Sequence, residues 1–335
     1  MNDYKNIVLT GGAGFIGSHI VDGLVNKFPN ALVKIIDKFT YAGDKENLKN
    51  TLSHQNISLV VGDICDWDFI LAELVGADLV IHAAAESHVD RSFSNSPIFM
   101  QTNIIGSQFV LEASRLNNVK RLIHISTDEV YGTIYKGYAT EEQSLNPTNP
   151  YAASKAAADM LIRTNIYAYK QPVIVVRPNN IYGTRQYPEK LLPKFILCLM
   201  NGMPLPIHGS GTQRRTFLSI QDLVQAILLL ISKGVDGEVY NIGTNEEYSV
   251  LEISAMLCEA FGKRPETHLQ HVKDRPFNDI RYGVNTKKLV TLGWKSSTSL
   301  KNSLDEIIQW HHEHKDRLMK KVLLDADYKK LSVVL

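Results

Sequence analysis

Residues 10–17, Thr-Gly-Gly-Ala-Gly-Phe-Ile-Gly, stand between a β-rich apolar run, Asn6–Thr10, and an amphipathic stretch, Phe15–Lys27. Few folds place three glycines in a turn that joins a buried strand directly to a helix. Gly11 permits the tight turn, Gly14 lets the backbone approach a pyrophosphate, and Gly17 permits close helix–sheet packing. The first turn of the helix then offers unpaired N–H groups to an anion. Asp37 closes the next apolar run twenty residues after Gly17. A carboxylate there accepts from an adenosine ribose and repels a 2′-phosphate. The sequence therefore predicts a site for NAD rather than NADP, touched by Gly11, Gly14, Phe15, Ile16, Gly17 and Asp37, with Lys38 alongside. The competing reading is a glycine turn that merely packs.

The same alternation continues. Short apolar runs at Asn6–Thr10, Ala31–Asp37, Ser58–Val61, Leu79–His82, Arg121–Ser126 and Val173–Arg177 read as strands buried on both faces. Helical stretches at Phe15–Lys27, Asp66–Val75, Ile98–Asn117 and Tyr151–Tyr169 separate them. This predicts an α/β protein, a doubly wound parallel sheet of the Rossmann type. Residues 1–178 form that unit. After Arg177 prolines break the pattern, and helices Ile220–Lys233, Val250–Phe261 and Leu300–His314 alternate with short strands. Residues 179–318 read as a smaller C-terminal α/β substrate lobe, with chain crossings between the lobes. Residues 319–335 form a helix or tail without an assigned role. The cleft between the lobes is the expected substrate site. Asp63, Ile64, Ala83 and Ala85, after the third and fourth strands, line the cofactor path.

A net charge of +1 gives no electrostatic case for nucleic acid or an anionic membrane, and no apolar run approaches a membrane span. Cys65, Cys198 and Cys258 stand in no disulfide or ligand spacing, and no signal-like segment opens the chain. The expected location is the cytoplasm. His82 and His88 lack a third ligand at useful spacing, so no metal is expected. His311-His312-Glu313-His314 reads as a solvated face.

The chemistry is carried by Thr127-Asp128-Glu129 at the end of the fifth strand and by Tyr151 and Lys155. Residues four apart on a helix share a face, so Lys155 is expected beside the Tyr151 phenol, stabilising phenolate. Tyr41 and Lys45 have the same spacing but stand in a polar loop, where a packed tyrosine is the favoured reading. The Thr127 hydroxyl suits the substrate oxygen that Tyr151 deprotonates. Asp128 and Glu129 read either as a solvated loop pair or as a buried pair, in which repulsion and burial raise at least one pKa, leaving one acid and one base.

With the segments Ala83–Ser92 (AAAESHVDRS), Ser126–Gly132 (STDEVYG), Asn179–Gly183, Tyr187–Leu191, Arg214/Arg215, Tyr240–Gly243 and Asp274–Pro276, the chain resembles extended short-chain dehydrogenases/reductases. Within these it is most similar to the nucleotide-sugar 4,6-dehydratases, over nearly all of residues 5–312. Ordinary epimerases of the superfamily usually lack the carboxylate pair. The resemblance implies tightly bound NAD and a nucleotide-sugar substrate. It also implies a homodimer formed through Ile98–Asn117 and Tyr151–Tyr169, and a place in deoxysugar biosynthesis such as the rhamnose pathway. It assigns Tyr151 to the proton of the sugar 4-hydroxyl, Glu129 to the C5 proton and Asp128 to the departing 6-hydroxyl. Arg215 and Arg275 hold the diphosphate, with Arg214 the less favoured of its pair. Ser87, Asn180, Glu189, Lys190, Asn241 and Asn278 complete the expected substrate site.

Phe277-Asn278-Asp279, where bacterial dTDP-glucose enzymes tend to have Gly-His, and Arg177–Asn180 look more like the UDP-glucose branch known from plants. UDP-glucose is therefore favoured, dTDP-glucose next. UDP-N-acetylglucosamine dehydratases typically carry Lys in place of Glu129. The alternatives are that dehydratase with C5 epimerisation, a nucleotide-sugar epimerase, and a non-catalytic NAD-binding scaffold.

Overall fold

The computed structural model describes residues 4–325. Its strands are β1 (Asn6–Thr10), β2 (Leu32–Asp37), β3 (Ile57–Val61), β4 (Leu79–His82), β5 (Arg121–Ile125), β6 (Val173–Pro178), β7 (Asn180–Tyr182), β8 (Leu205–His208), β9 (Arg214–Ser219), β10 (Val239–Ile242), β11 (Glu247–Ser249) and β12 (Leu269–Val272). Seven of them form one sheet, ordered β10-β6-β5-β4-β1-β2-β3, and every pair in it is parallel.

The apolar runs predict this sheet because both of its faces are covered. On one face the helices Phe15–Lys27 and Ile220–Lys233 bury Ile20, Val21, Leu24, Leu223, Ile227 and Leu230 against Leu9, Ile35 and Ile81. On the other, Ile70, Val110, Leu111 and Ile162 pack on Val8, Val80 and Val175. The sequence-based reading gave six strands. The seventh, β10, lies far along the chain and pairs with β6, Val239 opposite Val175 and Tyr240 opposite Val176. The chain thus returns from the second lobe to complete the first sheet.

The helix expected over Ile98–Asn117 starts at Ser96 and passes through a π-helical stretch, Met100–Gly106, before resuming as Ser107–Leu116. Asn103, in that stretch, is buried and bonds the backbone N–H and C=O of Glu86 as well as the Ser154 hydroxyl. Such π segments recur where a helix re-aims side chains toward a site. Here the segment ties the loop after β4 to the helix Pro150–Tyr169.

The remaining strands form small sheets, β11-β9-β7 and β12-β8. With helices Leu191–Met200, Val250–Ala260 and Leu300–Glu313 they enclose a second core around Phe195, Leu199, Leu257 and Leu304. The tail begins as a helix, Lys315–Leu324, which buries Leu318 and Val322 against Leu197. The tail residues after Asp325 lie outside the described residues.

Candidate active site

The strand order reverses between β4 and β1, so the loops after β1, β4, β5 and β6 diverge and leave a crevice at the strands' C-terminal ends. A cleft of about 360 Å³ occupies it, floored by the first sheet and walled by the second lobe. Gly11, Gly14, Phe15, Ile16, Gly17, Asp37, Asp63, Ile64, Ala83, Ala85, Ser87, Thr127, Asp128, Glu129, Tyr151, Lys155, Asn180, Glu189 and Lys190 all line it. Sequence reasoning thus placed these scattered residues in one crevice.

At the glycine turn each residue is constrained differently. Gly11 adopts φ +75°, and a β-carbon there would lie 2.5 Å from the Ala84 amide nitrogen. A β-carbon on Gly17 would sit 2.1 Å from the Gly11 carbonyl oxygen. Gly14 is open by contrast: its nearest neighbour is the Gly11 carbonyl oxygen at 3.4 Å, and it caps the helix Phe15–Lys27. The turn leaves backbone N–H groups facing the cleft at a helix N-terminus, which suits a diphosphate. Asp37 is held by the amides of Ala13 and Phe39, both 2.8 Å away. Lys38, alongside it, pairs with Asp63 at 2.5 Å. We expect Gly17→Ala to yield protein without bound dinucleotide and destabilised by about 1–3 kcal/mol, because two backbone segments must separate. The ultraviolet absorbance ratio of the purified variant and its melting curve check both halves.

The carboxylate pair sits where β5 ends. Thr127 caps the short 3₁₀ turn Asp128–Tyr131, accepting from the Glu129 amide and donating to Asp128 Oδ1 at 3.2 Å. Asp128 is 2% exposed, and its Oδ2 accepts from Asn179 Nδ2 at 2.7 Å. Burial, opposed by the Asn179 hydrogen bond and reinforced by the Glu129 charge, pushes the Asp128 pKa up to about 7. Burial also raises Glu129, whose Oε2 accepts from Asn149 Nδ2 at 3.1 Å and the Tyr282 hydroxyl at 3.4 Å. Two adjacent carboxyls with different supports can divide acid and base roles.

Tyr151 opens the helix Pro150–Tyr169 and is buried beside these carboxyls. Burial first, then the Glu129 charge, holds its phenol above the ordinary tyrosine range, opposed by a hydrogen bond with Thr127. Lys155 differs from the expectation in one respect. Its ammonium donates to the Ile125 carbonyl at 2.7 Å and lies 3.4 Å from His124 Nε2, with no hydrogen bond to Tyr151. The Ile125 carbonyl at the end of β5 captures the amine. Burial lowers the Lys155 pKa to about 8.

At the second-lobe wall, Lys190 donates to the Ser87 carbonyl at 2.6 Å. Glu189 accepts from Arg91 Nε at 2.7 Å and the Tyr41 hydroxyl at 3.1 Å, while the Arg91 guanidinium stacks over the Tyr41 ring. Tyr41 is thus a packed support. Arg215 donates to the Asp279 carbonyl and to Asn278 Oδ1 and lies over the Tyr282 ring. Its charge reaches Asp128 and Glu129. Arg214 is committed to Glu247 and Glu252. Arg275 pairs with Asp90 at 2.6 Å. Arg215, Arg275 and Asn278 are not among the residues that line the cleft, and each has an internal partner. Asn241 requires a correction. It is wholly buried, its amide donates to the carbonyls of Ala139 and Asn285, and its Oδ1 accepts from the Tyr131 hydroxyl. Every polar atom of that side chain is used inside the fold, leaving none for a substrate.

Sequence reasoning gave no role to Asn149, Asn179 or Tyr282, which hold the carboxyl pair, although Asn179 stood in a matching segment. Asn149 carried a local signal: followed by Pro150, it reads as a helix cap, and it accepts from the Ala152 amide while its side-chain NH₂ reaches Glu129. His82 bonds Thr10 and Ser107 inside the fold, and His311 Nδ1 donates to the Ile307 carbonyl, buried rather than on a solvated face. The tail helix also bears on the site. Lys321 pairs with Asp44 at 2.8 Å, next to the cleft-lining Gly43, and Asp325 accepts from Arg91 and the Tyr187 hydroxyl.

The family model described as GDP-mannose 4,6 dehydratase matches residues 8–307. The chain belongs to this family. A human family member, dTDP-D-glucose 4,6-dehydratase, is 40% identical, with 92% of this chain and 91% of that protein aligned. A trifunctional Arabidopsis thaliana protein, UDP-glucose 4,6-dehydratase/3,5-epimerase/reductase, is 42% identical over 92% of this chain; the chain spans only 47% of its length. The crystal structure of DesIV, a dTDP-glucose 4,6-dehydratase from Streptomyces venezuelae with NAD bound, superposes with a TM-score of 0.91 at 37% identity, covering 93% of this chain and 98% of that one.

Proposed function

We propose that the protein removes water from a nucleoside-diphosphate hexose, giving the 4-keto-6-deoxy sugar. The observation that carries this reading is the adjacent Asp128–Glu129 pair, the first buried and the second half-buried, lining the same crevice as Tyr151. A single base would suffice to oxidise a hydroxyl; two further carboxyls with separate supports suit the loss of a C5 proton and a C6 hydroxyl. That feature favours dehydration over simple epimerisation and over a non-catalytic scaffold. NAD fits the glycine turn and Asp37, and when bound supplies the hydride acceptor and donor for the sequence.

The residues divide the remaining work. Tyr151, with Thr127 beside it, receives the proton of the 4-hydroxyl. Glu129 takes the C5 proton, made acidic by the neighbouring ketone, while Asp128, protonated near neutral pH, gives its proton to the leaving 6-oxygen. Lys190 and Ser87 face the sugar side of the cleft, and Arg215 with Arg275 supply positive potential toward the diphosphate. UDP-glucose is the favoured substrate and dTDP-glucose the next; the likeness to both an Arabidopsis UDP-glucose protein and a human dTDP-glucose protein is compatible with either.

Mass spectrometry of the purified protein, incubated without added cofactor with UDP-glucose, dTDP-glucose or UDP-N-acetylglucosamine, tests the reading. Loss of one water from a nucleotide-glucose supports it and names the base. No loss from any of the three, with NAD supplied, sinks it in favour of an epimerase or scaffold.

Among the described residues no helix is long and apolar enough to cross a membrane, and Cys65, Cys198 and Cys258 are free. The cytoplasm is the proposed location, where free thiols such as these persist. A homodimer through the two long helices is also proposed, supported by exposed Ile98, Ile105, Leu116, Met160 and Tyr167 on them. Met160→Glu combined with Tyr167→Glu is expected to halve the mass seen by light scattering; an unchanged dimer mass would count against this face.

A further inference from the structure

Asn179 stands at the junction of β6 and β7, and its place there is over-determined. Its amide nitrogen donates to the Ile242 carbonyl of β10 at 2.9 Å. Its side chain is 2% exposed, with Nδ2 on Asp128 Oδ2 and with Oδ1 buried and lacking a donor. That oxygen lies over Gly243, where a β-carbon would come within 2.0 Å of it. A buried carbonyl oxygen without a partner costs stability. The fold accepts that cost and leaves residue 243 bare while pointing the amine of Asn179 at one oxygen of the acid.

The two Asp128 oxygens are therefore unequal. Oδ2 is held by an amide that can only donate, whereas Oδ1 faces the Thr127 hydroxyl, which can donate or accept by rotating. We propose that Asn179 is a positioning residue for the elimination step, fixing the Asp128 carboxyl through Oδ2 so that Oδ1, on the Thr127 side, carries the proton to the leaving 6-oxygen. In that step Glu129 takes the C5 proton, the electron pair forms the C5=C6 bond, the C6–O bond breaks, and the Oδ1 proton leaves with the oxygen as water. Asp128 ends as a carboxylate, the state that the Asn179 donor stabilises. This inference rests on the proposed dehydration.

The groups facing Asp128 are Glu129 and Thr127 on its own turn, Tyr151 from the helix Pro150–Tyr169, Arg215 from β9 and Asn179. A donor to the charged form lowers a carboxyl pKa, so removing Asn179's amine raises it. Asn179→Leu keeps the volume and deletes the donor. Gly243→Ala leaves Asn179 in place but forces its side chain aside, and carries the same test should the leucine variant not fold. In both, single-turnover C4 oxidation is expected at the wild-type rate, and water loss slowed about tenfold to a hundredfold by misplacement of the acid. The fall in water loss with rising pH should also move to higher pH. Unchanged water loss in a folded variant overturns the proposal. So does an equal slowing of both steps with an unmoved pH profile, which marks a purely structural role. Wild-type protein that loses no water from any nucleotide sugar defeats the dehydration reading instead, and so separates the two failures.

Discussion

Replacing Tyr151 with phenylalanine is expected to lower the rate of C4 oxidation by about a thousandfold, within the range that general acid–base groups contribute. The structure explains why no neighbour takes over. The phenol is buried, and burial first, then the Glu129 charge, holds the proton on it, with Thr127 as its hydrogen-bond partner. The nearest helical cation, Lys155, spends its hydrogen bonds on the Ile125 carbonyl and His124. Phenolate character in Tyr151 must therefore come from the complex with cofactor and substrate rather than from the resting protein. Glu129 cannot substitute, since Asn149 and Tyr282 aim it elsewhere. Phenylalanine fills the same space, so folding and dinucleotide retention should persist. Mass analysis after one turnover would then recover unreacted substrate. Oxidised sugar at the wild-type rate would remove Tyr151 from its role.

Asp128→Asn should separate oxidation from water loss. The asparagine is isosteric and can still accept from Asn179, so the crevice is preserved. It has no acidic proton to give. We expect C4 oxidation to proceed and elimination to slow by about a hundredfold to a thousandfold, within the general-acid range or slightly below its upper end. Sugar lacking two hydrogens but retaining its 6-hydroxyl would accumulate. The wild-type protein should show the corresponding pH dependence. With the Asp128 pKa raised to about 7, the acid is protonated below that value and lost above it, so water loss falls as pH climbs through neutrality. Asp128→Asn should abolish this descending limb. Undiminished water loss in the variant would assign the acid to another group.

Much of the fold was legible because a sheet covered on both faces writes itself as continuous apolar runs: β1 and β4 lie where those runs stand. β10 shows the limit. Its four residues look like any short strand, and what makes it the seventh member of the first sheet is a pairing with Val175–Pro178, more than sixty residues back. The π-helical stretch was equally hidden, since it depends on what Asn103 reaches across the structure. The site divides in the same way. Glycines, carboxyls, tyrosine and lysine announce chemistry by type and spacing. Asn179 and Tyr282 act because folding brings them to Asp128 and Glu129 from 51 and 153 residues away. Asn241 failed for the converse reason: a motif marked the position, but only the fold reveals that Tyr131, Ala139 and Asn285 already consume its side chain.

The return of β10 to β6 has a consequence for how the chain is made. As a ribosome releases the protein, β6 emerges as an apolar strand with one edge unpaired, and it stays so while the sixty residues before Val239 are synthesised. Open edges of that kind recruit other strands. The first lobe is thus no autonomous foldable module: a fragment ending at Pro178 should aggregate where the longer chain dissolves. Gene fusions or split-protein designs that cut between the lobes would have to carry Val239–Ile242 with the first half.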